Sequence, residues 1–289
     1  FQAVSRNGPT VVFLEDIHWG DDSSLDAVNQ LGERIPQLPL LIVCAARHSL
    51  FERRLYWGEG QTYHTHLELR PLSKRQSRQL VAEILKLAGE VPLELRELVV
   101  SGAEGNPFYV EELIKMLIED GVILTGEGIW RVEPQRLAQV EVPSTLAGVL
   151  QARLDSLPPQ ERSVLQQASV VGRLFWDRLV AHIQAEGGEG GNPQLVPVAL
   201  NALRQRELVY RREESAFAGA VEYLFKHEVL REVTYESVVK HLRRVYHGLV
   251  GEWLISQGGD RIAEYSGLIA EHLLLAGRKE QAGEYFTQA

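Results

Sequence analysis

The chain has 289 residues, 45% hydrophobic and 24% charged, with a formal net charge of −9. That length suits two or three small domains with cores of their own. The composition excludes wholesale disorder, and the acidic balance argues against a chain-wide nucleic-acid surface. A single cysteine, Cys44, rules out an internal disulfide and fits a reducing compartment. No run approaches the ~18–20 apolar residues of a membrane span, and the first residues lack a signal peptide's basic-then-apolar pattern. The expected location is therefore cytoplasmic, with no membrane partner. The chain opens on Phe1 and closes at Ala289 inside a predicted helix, so both ends read as cuts in a longer protein.

Residues 10–14, an apolar run rich in β-branched and aromatic side chains, predict a buried strand. Residues 24–35 predict a helix with Leu25, Val28, Leu31 and Ile35 on one face. Residues 38–46, behind Pro36 and Pro39, predict a second strand. Strand, helix and strand at this spacing form a parallel βαβ unit covered on both sheet faces. Residues 66–69 are assigned a third strand. After Pro71, Ser73 and Gln76 have capping-box spacing and open a helix to about residue 88. Residues 93–101 continue helical. Residues 109–119 are amphipathic, with Val110, Leu113, Ile114, Leu117 and Ile118 at i, i+3, i+4, i+7 and i+8. Gly121 is placed to end that helix, and residues 123–124 and 129–132, around the glycines at 126 and 128, form a small hairpin.

From Pro143 a new unit begins. Leu146, Val149, Leu150 and Leu154 line one helix, and Pro158 and Pro159 open another. Residues 186–192 are a glycine-rich loop, and residues 195–206 are helical. Residues 208–212 and 221–225 read as two strands. Three helices followed by a two-stranded hairpin outline a winged helix. Everything beyond Phe225 reads helical. Residues 262–289, broken at Gly277, have the form of one helix-turn-helix repeat.

The chemistry concentrates in VVFLEDIHWGDD, residues 11–22. A buried parallel strand delivers its last side chains to the carboxyl edge of the sheet, where ligands bind in open α/β folds. Glu15 and Asp16 follow such a strand. Two adjacent acids there suit ATP chemistry, one holding Mg²⁺ directly or through water and the other polarising the attacking water. The plain alternative is that the two acids simply end a strand. His18 and Trp19 read as structural. His64 and His66 alternate along the assigned strand without partner ligands, so no zinc site is expected. Cys44, inside an apolar strand, reads as buried rather than nucleophilic. The sequence contains no Gly-x-Ser-x-Gly elbow and no Gly-x-x-x-x-Gly-Lys-[Ser/Thr] loop.

The segment LEDIHWGDDSSLD resembles the Walker B region of STAND-type P-loop ATPases, in particular the bacterial versions found with nucleotide cyclase, kinase or LuxR-type output domains. CAARHSL at 44–50, LRPLS at 69–73, GNPFYVEEL at 105–113 and FKHEVLREVTYES at 225–237 resemble the same group in the same order. The fold class this implies is α/β plus mostly α: a partial parallel-sheet P-loop ATPase core, a helical lid, a winged helix and the start of a tetratricopeptide-like region. The corresponding domains are residues 1–72, 73–133, 134–225 and 226–289.

The resemblance also implies roles. Glu15 falls at the Mg²⁺-side acid and Asp16 at the water-polarising acid. Arg47 falls at the sensor-1 arginine, where a guanidinium bonds the γ-phosphate and stabilises developing charge. Gly105, Asn106 and Pro107 match the glycine-any-proline turn of the lid, which lies against the adenine. His227 matches in part a histidine that reaches the β-phosphate of ADP, although Lys226 and Glu228 depart from the usual flanks. The implied ligands are ATP or ADP with Mg²⁺, bound in the intact protein. The phosphate-binding loop is expected upstream of Phe1, so that this segment alone is inactive. The implied function is a nucleotide-dependent conformational switch in a signalling or transcription-regulatory protein, with the C-terminal helices engaging a protein partner or a second copy. Two alternatives stand beside it. One is a winged-helix DNA-binding regulator using Arg204 and Arg206 on the recognition helix, Arg211 and Arg212 on the wing, and Lys226, Arg231, Lys240, Arg243 and Arg244 beyond it, a weak reading because glutamates interleave the basic residues. The other is an interaction scaffold whose ATPase site has decayed.

Overall fold

The computed structural model describes residues 8–34, 39–62, 64–89, 91–126, 130–187 and 191–289. Ile35, Pro36 and Leu38 lie outside the described residues, as do residues 127–129 of the predicted hairpin and residues 188–190 of the glycine-rich loop. The described chain is mostly helical with small sheets. It divides into two compact units, Phe1–Arg70 and Pro71–Ala289.

In the first unit, β1 (Thr10–Leu14) and β2 (Leu40–Cys44) are parallel neighbours, in register from Thr10↔Leu40 to Leu14↔Cys44. Between them runs α1 (Asp22–Arg34), preceded by a 3₁₀ turn (Ile17–Trp19). The helix starts two residues earlier than its apolar pattern, because Asp21 caps it. Its carboxylate accepts from the Ser24 N–H at 2.9 Å and the Ser24 hydroxyl at 2.7 Å. A short helix, α2 (Ser49–Arg53), follows β2. Ile17, Leu25, Leu50 and Trp57 form a small buried core, and the Trp57 indole donates to the Leu25 carbonyl at 3.3 Å.

Two expectations fail here. Val11, Phe13 and Leu41 are exposed. The alternation of the strands buries one side-chain set against α1, and no described element covers the other. Residues 64–70 form no strand. Leu67 and Leu69 are exposed, and an alternating pattern without a ladder partner does not make a strand.

The second unit holds two cores. The first gathers α3 (Lys74–Ile84), α4 (Leu93–Ala103), α5 (Pro107–Glu119) and the antiparallel pair β3 (Ile123–Leu124) and β4 (Arg131–Val132). The capping box at Ser73 forms as predicted, with Ser73 N–H to Gln76 Oε1 at 2.9 Å and Gln76 N–H to Ser73 Oγ at 3.3 Å. Val110, Leu113, Ile114 and Leu117 are all at most 1% exposed. Burying each such side chain stabilises by ~1.5–3 kcal/mol, which is why this face directs the packing. Gly121, with φ +68°, ends the helix in the left-handed region.

A short turn of helix, α6 (Pro134–Leu137), leads to α7 (Leu146–Ser156), which serves both cores. Val149 packs in the first, and Leu150 and Leu154 pack in the second. The second core adds α8 (Pro159–Val171), α9 (Asp177–Glu186), α10 (Val196–Gln205) and a three-stranded antiparallel sheet in the order β5-β7-β6. The strands are β5 (Leu174–Trp176), β6 (Val209–Arg211) and β7 (Glu222–Phe225). The pattern foretold β6 and β7 but not β5, whose three residues are too few to show a period. Aromatic side chains fill the space behind the sheet. Trp176 meets Phe217 and Trp253, and Phe175 meets Tyr223 and Phe225. The remaining elements are α11 (Glu228–Ser237), α12 (Lys240–Gly258), a 3₁₀ stretch (Gly259–Tyr265), α13 (Ser266–Leu275) and α14 (Lys279–Phe286). Gly277, at φ +85°, makes the break between the last two.

Candidate functional site

The candidate residues fall into two groups, one in each unit. In the first unit, β1 and β2 run parallel and end side by side, so the turns that follow them share the carboxyl edge of the pair. Glu15 and Asp16 follow β1, and Arg47 lies three residues beyond β2. Glu15 and Arg47 are exposed and Asp16 is half-buried. Asp16 has φ 54° and ψ 33°, the left-handed region that aspartate tolerates better than most residues. The Ile17 N–H donates to the Ala45 carbonyl at 3.1 Å, tying the two turns together. His18, 7% exposed, stands between them, and its Nδ1 accepts from the Arg47 N–H at 3.5 Å. Burial lowers the His18 pKa; the Asp16 carboxylate opposes that, and Arg47 and Arg53 reinforce it. The ring is therefore neutral at pH 7. Trp19 beside it is exposed, its ring centroid 5.1 Å from that of His18.

In the second unit the Gly105–Pro107 turn and His227 meet. Gly105 has φ +83°, and a β-carbon there would lie 2.4 Å from the Leu72 carbonyl oxygen, so only glycine fits. Asn106 caps α5, its Oδ1 accepting from Phe108 N–H at 3.0 Å and Tyr109 N–H at 3.3 Å, and Pro107 takes the first helical position. The next residue, Phe108, lies against His227, with ring centroids 4.0 Å apart. His227 caps α11 by position, two residues beyond the end of β7. Its Nε2 is buried and has no hydrogen-bond partner. Burial lowers its pKa; Glu112 opposes this, and Lys226 and Lys115 add to it.

Around this contact runs a chain of charges that the sequence pattern does not announce. Arg153 of α7 is 1% exposed. It binds Glu112 and Glu119 of α5, the latter at 3.0 and 2.7 Å, and the Arg206 carbonyl at 3.2 Å. Burial would lower the Arg153 pKa, but the hydrogen bonds and charges of Glu119 and Glu112 more than reverse it. Lys115 of α5 bonds Glu207 at 2.8 Å and Glu112 at 3.3 Å, and Lys226 bonds Glu207 at 2.8 Å. One signal was legible: Arg153 falls on the apolar face defined by Val149, Leu150 and Leu154. A charge in that position calls for a buried partner.

The described non-glycine residues at positive φ are Asp16, Glu104 and Glu207. Each adjoins one of these arrangements, and sparsely populated backbone conformations gather at functional places.

A further polar cluster joins the C-terminal helices. The Nδ1 atoms of His247 and His272 are 2.8 Å apart, and the Tyr235 hydroxyl is 3.0 Å from His247 Nε2. They border a cleft of about 530 Å³ that Arg173, Arg231, Glu232 and Glu271 also line. Among the described residues no group of three or more His, Cys, Asp or Glu is arranged to hold a metal ion. Glu15 and Asp16 are oxygen donors at an open edge, a set suited to Mg²⁺, which takes one or two carboxylates and fills its shell with water and phosphate. Cys44 is half-buried, and burial raises its thiol pKa, as expected for an inert side chain. Among the described residues no helix is long and apolar enough to cross a membrane.

Comparison with known proteins gives three findings. A family model described as "Domain of unknown function (DUF8739)" matches residues 73–129, a range that includes α3, α4, α5 and β3. An uncharacterized protein of Rhizobium meliloti (strain 1021) is 26% identical over 294 residues, covering 100% of this chain and 26% of that protein. A crystal structure of a Signal Transduction ATPase with Numerous Domains (STAND) protein with a tetratricopeptide repeat sensor, from Pyrococcus horikoshii, is similar with a TM-score of 0.54 at 15% identity. That similarity covers 95% of this chain and 36% of the other, and it is one of fold. The chain thus spans about a quarter of the curated relative's length and about a third of the solved neighbour's.

Proposed function

We propose that this chain is part of an ATP- or ADP-responsive conformational switch in a signalling or transcription-regulatory protein. The observation that carries the reading is the shared carboxyl edge of β1 and β2, with Glu15 and Asp16 after one strand and Arg47 after its parallel neighbour. Glu15 is on the Mg²⁺ side, Asp16 orients and polarises the attacking water, and Arg47 meets the γ-phosphate. Mg²⁺, when bound, offsets phosphate charge. His18 holds the Asp16 and Arg47 turns together through the Arg47 amide. On this reading the phosphate-binding loop is supplied from outside these 289 residues, which contain no Gly-x-x-x-x-Gly-Lys-[Ser/Thr] sequence.

The second unit is the part that responds. α3 to α5 act as a lid whose Gly105–Asn106–Pro107 turn lies against the adenine. α7 to β7 form a winged helix, and His227 at its end reads the β-phosphate of ADP. The helices that follow begin a tetratricopeptide-like region that engages a protein. ADP favours the closed arrangement and ATP the open one, a population shift set by their differential affinities. The winged helix is not assigned to DNA. Arg206, Arg212, Lys226, Arg231 and Arg243 each pair with a carboxylate, which weighs against a surface that collects phosphates.

The test is a titration of labelled ADP and ATP, with Mg²⁺, on a chain extended upstream to include the phosphate-binding loop. Asp16→Asn and Arg47→Ala are expected to lower turnover by at least ~10²-fold while ADP still binds. His227→Ala is expected to weaken ADP retention. Turnover and binding unchanged in all three variants would sink the assignment.

A further inference from the structure

Glu207 combines three observations. It lies in the turn between α10 and β6 at φ 56°, the left-handed position that helix ends usually give to glycine. A glutamate there accepts backbone strain that glycine would avoid. Its carboxylate bridges Lys115 and Lys226, at 2.8 Å each. Those two lysines bracket the Phe108–His227 contact. Lys115 sits on α5, the helix that carries Phe108 just after the Gly105–Pro107 turn, and Lys226 immediately precedes His227. The two ends of this bridge are far apart in sequence, so the bond joins separate elements and does not close a local turn.

We propose that Glu207 is a positioning residue that clasps α5 to the β7–α11 corner and so holds Phe108 and His227 in contact. The proposal rests on the nucleotide-switch reading for its purpose, since that contact joins the lid turn to the histidine assigned to ADP. The clasp itself stands on the geometry. Closing it keeps the His227 ring out of water and its Nε2 directed into the joint. Releasing it frees α5 to swing with its turn. The Glu112–Arg153 pair on the inner side of α5 remains in place, so the clasp is the adjustable outer tie and the buried pair the fixed one.

The test uses Glu207→Gln, which keeps size and removes charge, and Glu207→Gly, which suits the left-handed backbone and preserves the fold. The first readout is the NMR titration of the His227 imidazole in the 289-residue chain. Two effects oppose each other there. Loss of the Glu207 charge removes that carboxylate from Lys226 and leaves Lys115 with Glu112, at 3.3 Å, which pushes the His227 pKa further down. Opening the joint hydrates the ring and brings the pKa up toward 6.5. A rise in both variants is the expected result, because only opening produces it. A pKa that stays depressed or falls in both variants overturns the clasp.

The second readout is ADP release from the upstream-extended protein, expected to quicken by about 3- to 10-fold, as for the loss of part-exposed ion pairs. If ADP binds and answers to His227→Ala but its release is unchanged in both Glu207 variants, the proposal fails while the switch reading survives. If the His227 pKa rises but no nucleotide binds, the clasp survives and the switch reading fails.

Discussion

Replacing Arg153 with methionine isolates the energetics of the charge network. Arg153 is 1% exposed and Glu112 is 2% exposed. The substitution preserves much of the apolar stem and removes the hydrogen bonds to Glu112, Glu119 and the Arg206 carbonyl. Glu119 is partly accessible and can recover water. Glu112 cannot, and among the described residues it keeps Lys115, at 3.3 Å. Breaking a buried pair by removing one partner costs ~3–5 kcal/mol, most of it from the charge left behind. Lys115 retains part of the compensation, so we place Arg153→Met near the lower end, at about 3 kcal/mol. Replacing both members with apolar side chains, Arg153→Met with Glu112→Leu, removes the orphaned charge and should be close to neutral, within about 1 kcal/mol. Urea unfolding followed by tryptophan fluorescence measures both, with a constant m-value as the check that the unfolded state has not changed. A single-variant cost under about 1 kcal/mol would refute the reasoning. So would a double variant as unstable as the sum of the singles, since either result would mean that Glu112 and Arg153 are not a coupled buried pair.

Two further outcomes follow from local geometry. Gly105→Ala forces a β-carbon to 2.4 Å from the Leu72 carbonyl oxygen at a φ of +83°. It should destabilise the second unit by at least ~1–3 kcal/mol and be visible as a lowered Tm by calorimetry; an unchanged Tm would show that the turn yields freely. His247 and His272 should make stability depend on pH. Burial lowers them to about 4 and about 3 respectively, with Arg243 and Arg231 adding to the shift at His247 and His247 adding to it at His272. Both folded-state values lie below the ordinary 6.5, so the unfolded chain binds more protons as pH falls. The contribution is whole above pH 6.5 and is lost as pH drops toward 4 and 3, by roughly 2–4 kcal/mol for the pair at pH 5. Urea unfolding at pH 7.5 and pH 5 should show the loss in the native chain and a flatter response after His247→Leu with His272→Leu; equal slopes would sink the assignment.

The sequence by itself determined what a few neighbouring residues encode. The capping box at Ser73, the five-residue apolar stripe of α5, the glycine stops at 121 and 277 and the runs that became β1, β2, β6 and β7 all depend on contacts within a turn or a strand. Such signals are periodic and short in range, so composition and spacing reveal them. The same local evidence misled at residues 66–69, where alternation is present but a partner strand is not among the described residues. It also passed over β5, which owes its strand geometry to β7. The paired acids and Arg47 stood out as candidates, yet only the parallel register of β1 and β2 brought their turns to one edge. The remaining arrangements were decided by tertiary structure alone. Arg153 finds Glu112 across 41 residues and Lys115 finds Glu207 across 92. His247 and His272, on different helices, share a hydrogen bond between their Nδ1 atoms. No local pattern specifies such pairs. A buried charge or imidazole is tolerated only where packing supplies its partner, and which partner arrives is set by how α5, α7 and the sheet settle around their shared core.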